Sequence, residues 1–163
     1  MSEPPFDPIA ALRTLARHEV RYVLIGGFAA GLRGSPMLTG DLDVCPARDA
    51  ANLDRLADAL RELGARLRGA PEDVSFVLDG RTLAAGDHFT FVTEAGPIDC
   101  LGTPAGTDGF RDLDASATEE DLDGVVVRVA SLDDLIRMKR AADRPQDRIA
   151  LEWLSALRDE LEG

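Results

Sequence analysis

The chain has 163 residues, 45% hydrophobic and 29% charged, a balance that is typical of a folded domain and excludes a disordered segment. Its 30 acidic and 18 basic residues give a net charge of −12, which argues against strong DNA binding and against attraction to an anionic membrane. No apolar run reaches the roughly 18 residues of a membrane span, and the first residues do not resemble a secretory signal. We therefore expect a single domain over residues 1–163, located in the cytoplasm.

Hydrophobic periodicity and turn residues predict that helices alternate with strands in the first half of the chain. Capping residues and glycines mark the helix ends, and short runs of β-branched residues mark the strands. In chain order, the predicted elements are a helix beginning at Asp7-Pro8, a strand from Val20 to Ile25, a short helix from Phe28 to Leu32, a strand from Leu42 to Cys45 and a helix from Asp49 to Leu63.

The sequence pattern in the second half of the chain predicts mainly strands, followed by two helices. The predicted elements are a hairpin of 75–78 and 81–84 around Asp79-Gly80, a hairpin of 88–93 and 98–101, loops with one short helix from Gly102 to Glu120, a strand from Val125 to Val129, a helix from Ser131 to Ala142 and a last helix from Pro145. This order indicates an α+β (α/β two-layer) fold, in which helices flank a short mixed β-sheet and two helices are C-terminal.

Three acidic residues stand in or beside apolar strands. Asp41 and Asp43 are one residue apart, so the strand period of two turns both carboxylates to one face. Such close charges repel, and a divalent cation such as Mg²⁺ would remove the repulsion, although polar residues at a strand start are an alternative explanation. Asp99 lies in an apolar strand, where a charge without a partner is costly. If the two strands are neighbours, the three carboxylates converge.

A paired glycine, Gly26-Gly27, ends the first predicted strand. Without side chains, these residues let backbone N–H groups approach an anion, although a simple tight turn is the alternative interpretation. A turn that accommodates phosphate and three converging carboxylates are together what metal-assisted phosphoryl or nucleotidyl transfer requires.

Two segments resemble a known family. The stretch VLIGGFAAGLRGSPMLTGDLDV is similar to the signature of the minimal nucleotidyltransferases, the DNA-polymerase-β-like superfamily. The stretch DDLIRMKRAADRPQD resembles the downstream segment of AbiEii-toxin-like nucleotidyltransferases. The resemblance covers the chain from about Val20 to Leu154. It implies the nucleotidyltransferase fold, Mg²⁺ or Mn²⁺ as the cofactor and a nucleoside triphosphate (NTP) as a substrate.

The resemblance also implies roles for individual residues. Asp41 and Asp43 would bind the catalytic metal ions, and Asp99 would be either a third ligand or the base that deprotonates the acceptor hydroxyl. The residues implied in nucleotide binding are Gly26, Gly27, Arg33, Ser35, Thr39 and Lys139. Without the family pattern, Lys139 reads as a solvated helix residue and Thr39 equally well as a strand-entry residue. Arg144 and Asp147 are expected to brace the last two helices more than to take part in the chemistry.

One position departs from the family pattern. Many relatives carry an arginine where this chain has Met37, and Arg33 or Arg144 is a candidate to replace that charge. The resemblance implies transfer of a nucleoside monophosphate (NMP) to a hydroxyl of RNA, protein or a small molecule, and one role known in this family is the toxin of a toxin–antitoxin pair, with an antitoxin protein as partner. Met37 and the acidic composition favour the alternative, a catalytically inactive nucleotide-binding or protein-interaction domain with the same fold.

Several other residues have simpler explanations. We expect Cys45 and Cys100 to be reduced, buried thiols, because their spacing fits neither a disulfide framework nor a zinc site. His88 is expected to be a polar edge residue of a strand, and Trp153 to belong to the core. The acidic run 119–121 is expected to be a solvated loop.

Overall fold

A computed structural model describes residues 4–70 and 75–162. The helices within these residues are α1 (Pro8–Arg17), α2 (Gly26–Leu32), α3 (Ala50–Glu62), α4 (Gly80–Ala85), α5 (Phe110–Asp114), α6 (Leu132–Ala142) and α7 (Pro145–Glu162). The strands are β1 (Tyr22–Ile25), β2 (Leu42–Pro46), β3 (Arg66–Leu67), β4 (His88–Thr93), β5 (Gly96–Leu101), β6 (Thr118–Leu122) and β7 (Val125–Val129). The strands form one mixed sheet in the order β3-β4-β5-β2-β1-β7-β6, and helices pack against it, so the predicted fold class is confirmed.

Strand β2 lies near the middle of the sheet, between β1 and β5. It runs antiparallel to β1, with Asp43 opposite Ile25, and parallel to β5, with Asp43 opposite Asp99. Directly opposed residues share one face of a sheet, so this register turns the side chains of Asp43 and Asp99 to the same face. The end of β1, where Gly26 begins α2, therefore lies next to both carboxylates.

The predicted helix starts are confirmed by side-chain caps. Asp7 accepts a hydrogen bond from the backbone N–H of Ala10 at 3.1 Å. Asp49 does the same for Asn52 at 3.1 Å, and the Ser131 hydroxyl accepts from the N–H of Asp134 at 3.1 Å. Each cap satisfies a backbone donor that the first turn of a helix leaves free. No helix in the described ranges is both long and apolar enough to cross a membrane.

The hairpin predicted over residues 75–84 is wrong. Residues 75–78 form no strand, and α4 begins at Gly80. The Asp79 carboxylate accepts a hydrogen bond from the N–H of Thr82 at 2.8 Å, so it caps this helix instead of opening a hairpin turn. Aspartate followed by glycine suits both turns and helix starts, and burial of Leu83 at 2% exposure favours the helix.

Two further predictions are corrected in the C-terminal half. The acidic run 119–121 belongs to β6, an edge strand paired with β7 through the turn at Asp123 and Gly124, whose φ angles are both positive. Sequence pattern missed this strand because most of its side chains face solvent and therefore do not alternate with apolar residues. Trp153 is 51% exposed on α7 and does not belong to the core, whereas its neighbour Leu154 is buried.

Candidate active site

Three carboxylates meet at the active-site end of β2 and β5. Asp41 immediately precedes β2, Asp43 is its second residue and Asp99 lies in β5. Each of the three carboxylates has an oxygen that lies within 4.8 Å of an oxygen of each of the other two. Each residue is only partly exposed. The structure thus brings together the three acids whose convergence depended on the pairing of their strands.

The electrostatics of this cluster favour a bound cation. Burial, and then the charges of Asp41 and Asp99, raise the pKa of Asp43 to about 7. Oδ1 of Asp99 is buried and has no hydrogen-bond partner among the described residues. Without a bound cation, a buried oxygen that lacks a hydrogen-bond partner and a carboxylate that resists ionisation each cost the folded protein free energy. A hard divalent cation would satisfy both groups, since carboxylate oxygens are its preferred protein ligands.

Gly26 allows the chain to pass close to Asp43. Its φ is +75°, and a Cβ placed on it would lie 1.9 Å from Oδ2 of Asp43. A Cβ on Gly27 would lie 2.9 Å from the hydroxyl oxygen of Thr39, which donates a hydrogen bond to Oδ1 of Asp41 at 3.2 Å. Both glycines are therefore required by close packing around the acids, and Thr39 is a hydroxyl donor that orients Asp41.

Gly26→Ala is expected to abolish Mg²⁺-dependent nucleotide binding and to destabilise the fold. The new methyl group would displace the Asp43 carboxylate, and a positive φ at a non-glycine residue costs about 1–2 kcal/mol in addition. Calorimetric titration with Mg²⁺-ATP and thermal unfolding measure the two effects.

Gly124→Ala is the matched control for this change. Gly124 also has a positive φ, of +86°, but a Cβ there would meet no atom within 4 Å. This variant should show the backbone strain alone, with a lower melting temperature and unchanged nucleotide binding. If Gly26→Ala bound nucleotide as tightly as Gly124→Ala, the assignment of Gly26 to the site would be wrong.

A cleft of about 180 Å³ lies next to the carboxylates. Gly26, Asp43 and Asp99 line it on the sheet side. Two cationic side chains, Lys139 of α6 and Arg144 of the segment between α6 and α7, line it on the helical side. The cleft therefore combines an acidic wall suited to a cation with a basic wall suited to an anion.

The basic wall is organised around Asp147. Its carboxylate accepts a hydrogen bond from Nζ of Lys139 at 3.2 Å and from Nε of Arg144 at 2.6 Å. These bonds, with that from Arg144 first, lower the pKa of Asp147 to about 2. Because Lys139 is on α6 and Asp147 is on α7, their contact joins the last two helices, as predicted for Asp147, whereas Arg144 bonds to Asp147 locally at the start of α7.

Four of the six predicted nucleotide-binding residues do not line the cleft: Gly27, Arg33, Ser35 and Thr39. Gly27 and Thr39 lie beside the acids, as described above. Arg33 donates to the carbonyls of Val129 at 2.9 Å and Ala130 at 3.1 Å, and it pairs with Glu120 at 2.9 Å. These bonds direct its guanidinium towards β6 and β7. Ser35 accepts a hydrogen bond from the N–H of Met37 at 3.3 Å within its own loop. Of the two arginines considered as replacements for a charge at position 37, only Arg144 lines the cleft.

The structure adds residues to the site that sequence reasoning missed. His88 is exposed at the start of β4, opposite Leu101, and both line the cleft. The remaining wall is apolar and includes Pro104, Leu135 and Met138. The pairing of β4 with β5, which placed His88 on the same face as Asp99, was predictable, but the packing of α6 over that face was not.

The two cysteines are not part of the polar site. Both are buried and free, as predicted. Burial raises the pKa of each thiol to about 12, so both are protonated at neutral pH.

The sheet order, the flanking helices and the acid-bearing central strands define the nucleotidyltransferase fold. Similar solved structures include the lincosamide antibiotic adenylyltransferase LnuA with lincomycin bound, at a TM-score of 0.61 and 14% identity over 92% of this chain and 95% of that one. ANT(2'')-Ia in complex with adenylyl-2''-tobramycin gives a TM-score of 0.53 and 17% identity over 93% of this chain and 92% of that one. A Thermotoga maritima protein assigned to the nucleotidyltransferases gives a TM-score of 0.54. Its sequence is 15% identical over 98% of this chain and 96% of that one.

These structures share the fold with this chain over nearly their full lengths. The sequence itself matches no protein-family model, and it matches no curated protein at a significant level.

Proposed function

We propose that this protein is a Mg²⁺-dependent nucleotidyltransferase that moves an NMP from an NTP to a hydroxyl group of a small molecule and releases pyrophosphate. The observation that carries the proposal is the convergence of Asp41, Asp43 and Asp99 within 4.8 Å, beside the close turn at Gly26. The similar structures of the adenylyltransferase LnuA and of ANT(2'')-Ia with adenylyl-2''-tobramycin support the same reaction class.

Asp41 and Asp43 are the proposed ligands of Mg²⁺, with Mn²⁺ as an alternative, and Asp99 is either a third ligand or the base. The partnerless Oδ1 of Asp99 and the raised pKa of Asp43 both fit this role. When bound, a divalent ion supplies neutralisation of the phosphate charge and a clamp on the attacking and leaving oxygens.

The residues of the chain supply the positioning and the proton acceptor. In the reaction, the acceptor oxygen bonds to the α-phosphorus, the bond from that phosphorus to the bridging oxygen breaks, and pyrophosphate leaves. Asp99 either accepts the hydroxyl proton or acts as a third metal ligand, in which case the proton passes to solvent. Gly26 lets the chain pass close to Asp43, and Lys139 and Arg144 lie where they can compensate negative charge on the phosphates.

Two considerations support a small-molecule acceptor. A net charge of −12 disfavours a polynucleotide, whose binding depends on many phosphate contacts with Lys and Arg. LnuA has lincomycin bound and ANT(2'')-Ia is in complex with adenylyl-2''-tobramycin, both of which are small molecules, and this chain spans more than nine-tenths of the length of each protein. The apolar wall of Leu101, Pro104 and Met138 would contact the hydrocarbon part of such an acceptor.

Label transfer tests the proposal directly. The purified protein is incubated with Mg²⁺, each of the four α-³²P-labelled NTPs in turn and a cell extract, which is then separated into small-molecule, RNA and protein fractions. We expect a new labelled compound, distinct from free NMP, in the small-molecule fraction, and none when Mg²⁺ is chelated.

The other outcomes distinguish the alternatives. Label in the RNA or protein fraction would reject the small-molecule acceptor and favour a toxin that modifies macromolecules, whose antitoxin partner would then be sought. If the protein bound neither Mg²⁺ nor NTP at millimolar concentration, the enzyme proposal would fail and the non-catalytic domain would remain.

A further inference from the structure

Asp147 is a fully buried carboxylate at the start of α7, with 0% exposure. It accepts four hydrogen bonds: one from Nζ of Lys139, and three from the backbone N, Nε and Nη2 of Arg144. The backbone bond caps the start of α7, because Asp147 also donates its own N–H to the carbonyl of Arg144 at 2.9 Å. A neutral residue such as asparagine could accept that bond, so capping alone does not require a buried charge.

The charges around Asp147 do not cancel. One carboxylate faces two cationic groups, the ammonium of Lys139 and the guanidinium of Arg144, which leaves one positive charge in excess. Both cationic side chains line the cleft that contains Asp43 and Asp99. A cleft wall with excess positive charge next to a metal-type carboxylate cluster fits the phosphate chain of a metal-bound nucleotide.

The bonds to Asp147 also leave donors free. Arg144 uses Nε and Nη2 on the carboxylate, so the two N–H groups of Nη1 have no bond to Asp147. Lys139 uses one of its three donors in this contact. The two-point bond from Arg144 fixes the plane of a side chain that is otherwise 60% exposed, and the single bond fixes the direction of Lys139.

We propose that Asp147 is a positioning residue, which holds Lys139 and Arg144 in place so that their free donors bind the phosphate chain of the nucleotide. This inference rests on the proposed function. Ordering both long side chains in advance removes that cost from the binding step, which is the physical meaning of preorganisation. Of the two arginines considered as replacements for a charge at position 37, the inference gives this role to Arg144, because Arg33 is bonded to β6 and β7.

Asp147→Asn tests the inference, with Mg²⁺ and inorganic tripolyphosphate as the probe because this anion carries a phosphate chain without a base. Calorimetric titration is expected to show affinity reduced about tenfold, the size that follows when one or two long side chains must be ordered on binding. The matched control is Asp143→Asn at the same helix junction. Asp143 forms an exposed pair with Arg148 at φ +49°, a conformation that asparagine tolerates, so affinity should not change.

A double-mutant cycle separates positioning from a general loss of stability. In a Lys139→Met, Arg144→Gln background, Asp147→Asn should change tripolyphosphate affinity by less than about twofold, because the side chains that Asp147 holds are absent. A merely structural role would lower affinity equally in both backgrounds. Unchanged or tighter binding by Asp147→Asn in the otherwise native chain would also overturn the inference.

Further variants keep the test decisive if Asp147→Asn does not fold. Lys139→Met and Arg144→Gln, which leave Asp147 in place, must each weaken tripolyphosphate binding, and Asp147→Glu should retain part of the affinity. If neither single change has an effect, the inference is rejected. Failure of the proposed function has a different signature, because the unchanged protein would then bind neither Mg²⁺ nor nucleotide.

Discussion

Asp43→Asn is expected to reduce nucleotidyl transfer by more than about a hundredfold, since losing even the outer-shell partners of metal ligands costs roughly 10–100-fold. Asp43 lies between the other two acids in the site, with Asp99 directly opposite on β5 and Asp41 two residues before it. The variant loses a metal ligand and the charge that attracts the ion. Initial rates of label transfer at several Mg²⁺ concentrations measure the effect, and added Mg²⁺ should restore only a small part of the activity.

The same change should leave the fold intact. Asparagine has the shape of aspartate, and its neutral side chain removes the repulsion from Asp41 and Asp99, so the melting temperature without Mg²⁺ should stay equal or rise. Asp159→Asn, an exposed position on α7, is a control for loss of one negative charge elsewhere. Strong destabilisation by Asp43→Asn would indicate a structural role for this residue, and near-native transfer would refute the proposed site.

Without Mg²⁺, the protein is expected to become less stable as the pH rises from about 4 to about 7. The pKa of Asp43 is about 7 in the folded protein, above its ordinary value of 3.8, so the folded state keeps a proton that the unfolded chain has released. Stability falls with pH wherever the folded state binds more protons, and each unit of pKa difference corresponds to about 1.4 kcal/mol. Thermal unfolding at several pH values in the presence of a chelator measures this slope.

Saturating Mg²⁺ should reverse this dependence. The ion binds the ionised carboxylates and stabilises the folded state by mass action, so its stabilising effect should grow as Asp43 loses its proton. In Asp43→Asn, both the decline with pH and most of the Mg²⁺ effect should be absent. If the Mg²⁺-free native protein and Asp43→Asn showed the same dependence of stability on pH between 4 and 7, Asp43 would ionise normally and the prediction would be wrong.

Much of the site was predictable from local pattern and strand pairing. The alternation of Asp41 and Asp43 along β2 needs only the period of a strand, and the isolated charge of Asp99 in an apolar strand indicated a partner. The fold class followed from the order of elements, because helices and strands alternate in a way that only a few layered arrangements satisfy.

The wrong secondary-structure predictions have one physical cause in common. The local sequence is compatible with two structures, and tertiary contacts decide between them. Asp79-Gly80 suits a hairpin turn or a helix start, and packing of Leu83 selected the helix. The acidic strand β6 forms because β7 offers it backbone hydrogen bonds, whatever its side chains prefer. For the same reason no local pattern could show that Arg144 lines the cleft while Arg33 turns to β6 and β7, since both depend on distant contacts.

The pairing of β2 with β5 has a consequence for how the protein matures. Asp43 and Asp99 are 56 positions apart, and Asp147 enters the chain later still. Contacts between distant positions must wait for the intervening chain to be made and closed, so a ribosome-bound chain that ends before α7 cannot assemble the cleft. The proposed nucleotide binding would therefore be a late event of biosynthesis, and we expect an immobilised nucleotide to retain finished molecules and let truncated ones pass.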